Sequence, residues 1–80
     1  MDSIEHKVVD IIAEKLGIEG KRIVPTSRFQ EDLGADSLEV LEIVIECEEA
    51  FGIDMEDDAE NVITVKDAVQ YIAQRLEEAK

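Results

Sequence analysis

Ser37 stands in the run Gly34-Ala35-Asp36-Ser37-Leu38-Glu39, and it is the side chain around which a chemical role can be argued. A serine becomes a nucleophile when a base lies within hydrogen-bond reach, and the single histidine, His6, belongs to another segment at the start of the chain. The glycine spacing also fails the nucleophile elbow: Gly34 is three residues before the serine, none follows two after it, and no strand pattern precedes it. Cys47, the one cysteine, falls in the apolar sector of its helix and reads as a small buried hydrophobe rather than a reactive thiol. Asp54, Glu56, Asp58 and Glu60 alternate like the start of a calcium loop. The match ends there, because the sixth and twelfth positions are Ala59 and Val65, where a turn glycine and a bidentate glutamate are needed. The residues therefore supply no catalytic set and no dedicated metal site, and the expectation is a protein that is not an enzyme. Two readings stand for Ser37: a residue of a helix cap, or an exposed hydroxyl whose activating base another enzyme supplies.

Acidic residues form the second constellation. Glu39, Glu42, Glu46 and Glu49 follow at steps of three and four, which places them on one face of a helix. Like charges at those steps destabilise a helix by about 0.2–0.5 kcal/mol per pair, so the stripe is either a solvated surface or a docking face for basic protein patches, kept at some expense of stability. Thirteen of the 21 acidic residues lie between Glu31 and Glu60, a stretch without Lys or Arg; outside it eight acids balance all eight bases, so the net charge of −13 is local. Such a field repels nucleic acid and anionic membranes, and it draws in basic protein surfaces or divalent cations.

Helices must position these groups. Eighty residues make one small domain, 1–80, and Leu, Ile, Val and Phe supply 25 of them, about 31%, more than a disordered acidic chain carries. Ile4, Val8, Ile11, Ile12 and Leu16 form a helical stripe over residues 3–16, with Asp2 or Ser3 to cap it and Gly17 to end it. Residues 17–35, with Pro25 and three glycines, read as one long packed connection anchored by Ile18, Ile23, Val24, Phe29 and Leu33. Asp36, with Glu39 three residues on, has the form of a capping box opening a helix that runs to Phe51 before Gly52. Val40, Leu41, Ile43, Val44, Cys47 and Phe51 are its core side. Residues 54–62 suit a helical turn or two, and Thr64 caps a last helix carrying Val65, Ala68, Val69, Ile72 and Leu76, with Asp67 in its first turn. The expected fold is all-α: a small four-helix bundle with a long first loop and a short third helix. One cysteine, no secretory signal and no apolar run near membrane-spanning length lead to the expectation of a cytoplasmic protein with no membrane span.

Phe29-Gln30-Glu31-Asp32-Leu33-Gly34-Ala35-Asp36-Ser37-Leu38 resembles the prosthetic-group attachment motif of the acyl carrier protein family, and the similarity extends over essentially all 80 residues. The resemblance implies a carrier in which Ser37 bears 4′-phosphopantetheine, transferred from coenzyme A by a phosphopantetheinyl transferase with magnesium. Acyl chains ride on that arm as thioesters. It further implies that Asp36, Leu38, Glu39, Glu42, Ile45 and Glu49 meet the basic docking patches of fatty-acid or polyketide synthesis enzymes; Glu46 joins that face by its helical spacing, and the apolar sector with Val44 and Cys47 is expected to line a space that shelters a bound chain. Glu39 stands where Asp is more usual, Ile45 where Met is frequent, Glu46 and Cys47 where smaller or aliphatic residues are common, and the proline before the third helix is absent. A housekeeping fatty-acid carrier, a specialised carrier for polyketide or other secondary acyl chains, and an acidic interaction module without a prosthetic group all remain open here. A monomer suits such transient partners.

Like-charge repulsion within residues 31–60 has a direct readout. Added salt, magnesium or calcium is expected to raise the melting temperature. A melting temperature that stays flat across both titrations contradicts this account of the charge.

Overall fold

A computed structural model of the protein describes residues 2–54 and 62–78. Helix α1 spans Asp2–Leu16, α2 spans Ser37–Phe51 and α3 spans Val65–Glu78, with a short 3₁₀ turn at Gly20–Arg22. The all-α expectation holds. Three α-helices are described, not four: the short helix expected within 54–62 falls on residues 55–61, outside the described ones.

The apolar stripe of α1 does what its spacing dictates, since Val8 and Ile12, one turn apart, are fully buried while Ile4, Ile11 and Leu16 pack around them. Helix α1 is under way at Asp2, so Ser3 lies inside it rather than at its cap. At the other end Gly17 adopts φ +68° and Ile18 N–H donates to Ala13 O over 3.1 Å, the six-residue closure that stops a helix. α2 ends in the same way: Gly52 has φ +67° and Ile53 N–H donates to Glu48 O.

The long connection is ordered by its backbone. Phe29 N–H donates to Ile63 O (3.0 Å), Val65 N–H to Ser27 O (3.0 Å) and Lys66 N–H to Pro25 O (2.9 Å), with an antiparallel bridge between Arg28 and Thr64. These bonds tie the middle of the loop to the start of α3. Sequence patterning missed them, because one bridge leaves no alternation to read. Phe29 and Ile23 are buried as expected, whereas Val24 is 47% exposed. The reason is local: Val24 N–H donates to Ser27 Oγ (3.0 Å) and Ser27 N–H returns to Val24 O (2.9 Å), closing a tight turn that buries Ser27 instead.

α1 packs against both α2 and α3. Its Val8 and Ile12 join Phe29 from the loop, Ile43, Val44 and Cys47 from α2, and Val65 and Ile72 from α3 in one core. α3 starts at a reciprocal cap. Asp67 Oδ2 accepts the N–H groups of Ile63 (3.2 Å) and Thr64 (3.0 Å), and Thr64 Oγ1 accepts Asp67 N–H (3.1 Å).

Thr64→Ala is expected to cost about 1 kcal/mol in chemical denaturation, the usual loss for a cap. The Asp67 carboxyl is held below its ordinary range first by the Thr64 N–H bond, so its contribution is full above the unfolded value of about 4 and lost as pH falls through the lower folded value. Asp67→Asn is expected to flatten the acid limb of stability against pH; an unchanged limb contradicts the assignment.

Candidate functional site

The approach to α2 is fixed before the helix begins. Ala35 is buried, and its N–H donates to Phe29 O over 2.9 Å. Gly34, just before it, takes φ +74°. Asp36 then sits in extended geometry (φ −84°, ψ 176°); its Oδ1 accepts Glu39 N–H at 2.8 Å, and Glu39 Oε1 accepts Asp36 N–H at 3.1 Å. The capping box is complete without Ser37. That serine is the first helical residue and exposed, so the reading in which its own hydroxyl caps the helix is set aside. The amides of Ser37 and Leu38, in the first turn, have no helical acceptor and form the positive end of α2.

Beside Ser37 opens a groove of about 380 Å³, walled by Phe29, Val40, Leu41, Val62 and Ile63, with Arg28 and Glu31 also on its lining. Arg28 is anchored: its Nε and Nη2 donate to Asp32 Oδ2 (3.0 Å) and Oδ1 (3.1 Å), its backbone N–H donates to Oδ2 (2.8 Å), and Nη1 pairs with Glu31. The bonds from Arg28 lower the Asp32 pKa, and the same pairing raises that of Arg28. The space expected at Val44 and Cys47 is a different matter, since both side chains are packed in the core and neither lines this groove.

α2 does gather its acids on one side. Glu46 and Glu49 are exposed and Glu39 and Glu42 half-buried, with Leu38 and Ile45 exposed among them. Leu41, expected in the core, is 43% exposed. With Leu38 and Ile45 it completes an apolar row at steps of three and four, a spacing from which its position was available. Lys15 of α1 was not available that way: its Nζ stands 4.0 Å from Glu42 Oε1 and 3.9 Å from Glu46 Oε1. His6 is exposed on α1 beside Ser3, Lys7 and Asp10, away from the Ser37 groove. Among the described residues no group of acids, histidines or cysteines is arranged to hold a metal ion, and no helix is long and apolar enough to cross a membrane.

The model of the phosphopantetheine attachment site family matches residues 6–72, most of the chain, a span that includes Ser37 and every residue lining the groove beside it. The chain belongs to the acyl carrier protein family. An acyl carrier protein of Karelsulcia muelleri (strain GWSS) is 47% identical over 81 residues, covering 100% of this chain and 98% of that one. Among solved structures, the acyl carrier protein from Enterococcus faecalis, described for its high thermal stability, is 36% identical with a TM-score of 0.77 over 92% of this chain and 95% of that one. The apo doublet acyl carrier protein from prodigiosin biosynthesis is 27% identical with a TM-score of 0.83; 92% of this carrier aligns with 36% of that longer chain. The protein is thus a phosphopantetheine-dependent acyl carrier and not a catalyst.

Cys47 of the carrier is a core residue, 1% exposed, and burial followed by the charges of Glu46 and Glu48 pushes its thiol up to about 12. A thiol reagent at pH 8 is expected to leave the native protein without its arm unlabelled and to modify it stoichiometrically, at Cys47, in denaturant. Rapid labelling of the native arm-free protein contradicts the packing of α2.

Proposed function

We propose that Ser37 is the residue that takes the phosphopantetheine, and that Asp36, Leu38, Glu39, Glu42, Ile45, Glu46 and Glu49 form the face on which partner enzymes dock. The observation that carries the first assignment is the division of labour at the start of α2. Asp36 and Glu39 close the cap between them, leaving an exposed serine hydroxyl with no part in holding the helix.

The surroundings fit an anionic, flexible group. Free amides at a helix start favour a phosphate, and the groove beside Ser37 offers apolar walls. Among the described residues nothing near Ser37 is arranged to activate it: Asp36 and Glu39 accept each other's backbone N–H, and Glu31 pairs with Arg28. The base must come from a transferase. When attached, the arm supplies a terminal thiol that carries acyl groups as thioesters. Ser37 keeps that attachment point at one end of α2, and the capping box holds the end rigid. The acids of α2 attract basic surfaces over a distance, while Leu38, Leu41 and Ile45 give contact once a partner arrives.

On this reading residues 1–80 act as one carrier domain, monomeric and cytoplasmic, serving fatty-acid synthesis or a related acyl pathway such as polyketide assembly. Specific partners are a phosphopantetheinyl transferase and synthesis enzymes bearing basic patches. Intact mass tests the core of the proposal. After incubation with coenzyme A, magnesium and a phosphopantetheinyl transferase, the protein is expected to gain one phosphopantetheine and Ser37→Ala none. Modification of Ser37→Ala, or no gain under conditions that load a known carrier, refutes the assignment.

A further inference from the structure

The acidic stripe of α2 is already partly engaged from within the molecule. Lys15 projects from the last turn of α1 and places its Nζ between Glu42 and Glu46, 4.0 and 3.9 Å away, with the lysine side chain 30% exposed and the two glutamates 46% and 48% exposed. Glu39 is tied to the Asp36 amide. Among the described residues no cation pairs with Glu49.

We infer that Lys15 is an internal competitor for the docking face: it occupies Glu42 and Glu46 as a partner's Lys or Arg would, and an incoming basic protein surface must displace it. This rests on the docking reading proposed above and refines it. A half-exposed pair holds too weakly to block a partner outright, because solvent and salt screen it and two flexible side chains must be ordered. It is strong enough to set a threshold. Partners presenting a single cation meet Glu49 and the apolar row, whereas partners presenting several in the right register gain Glu42 and Glu46 as well, with Lys15 released to water. Lys15 thereby sharpens the selection of multivalent basic patches over incidental ones. It also separates the Glu42 and Glu46 charges, so the same contact supports the fold.

The test uses Lys15→Met, which keeps an apolar stem of similar length, with its helicity checked by circular dichroism. Binding to a phosphopantetheinyl transferase is measured without coenzyme A, for the native protein, Lys15→Met, Glu42→Gln, Glu49→Gln and the Lys15→Met/Glu42→Gln pair. At low ionic strength Lys15→Met is expected to bind roughly two- to five-fold tighter, a gain that fades with added salt. Glu42→Gln is expected to weaken binding more in the Lys15→Met background than in the native one. Equal or weaker binding by Lys15→Met, while Glu49→Gln still weakens the complex, overturns the competitor role and leaves the docking face standing. Binding indifferent to Glu42, Glu49 and salt overturns the docking reading and this inference with it.

Discussion

The fold turns on the backbone tie between residues 25–29 and the start of α3. A long connection loses much entropy on ordering, and the bonds from Phe29 to Ile63 and from Val65 and Lys66 back to Ser27 and Pro25 give it a fixed course. Through that course Phe29 enters the core, and its carbonyl receives the Ala35 amide that sets the entry to α2. The position of Ser37 is therefore determined twice, by the capping box of Asp36 and Glu39 that spans it and by the loop before it. The groove has the same origin, for its walls are the loop, one side of α2, and Val62 and Ile63 at the approach to α3.

Charge works at two ranges. Along the chain the acids of residues 31–60 carry the whole net charge of −13. At contact range they are less uniform than their spacing implies. Glu39 serves the cap, Glu42 and Glu46 share Lys15, and Glu31 and Asp32 hold Arg28. Several residues that look purely repulsive in sequence thus have a structural partner, and the stability lost to like-charge repulsion along α2 is smaller than a count of like-charged neighbours gives.

Helix ends were legible in the sequence because their signals are local. Asp36 with Glu39, Gly17, Gly52, and Thr64 with Asp67 each act within a few residues, and each appears where its pattern puts it. Burial of Val8, Ile12, Ile43, Cys47 and Ile72 followed from periodicity. Val24 did not, because a turn closed by Ser27 decides its exposure and spacing does not encode that turn, whereas Leu41 belongs by its steps from Leu38 and Ile45 to the exposed row rather than to the core side. The reach of Lys15 across helices and the groove beside Ser37 are likewise products of packing. The motif around Ser37 was plain, but the open ground next to it was not.

The separation of Ser37 from its own helix cap has a consequence for turnover. A side chain that closes a helix cannot be derivatised without loosening the first turn, so each cycle of loading and unloading would have to be accompanied by local refolding. Here that role is discharged by Asp36 and Glu39, and a negative group at the first helical position meets the favourable end of the dipole. With attachment at Ser37, bare and loaded forms share one scaffold. Enzymes acting in succession would then recognise the same rigid surface whatever it carries, and the order of their visits would be decided by the cargo rather than by the shape of the protein.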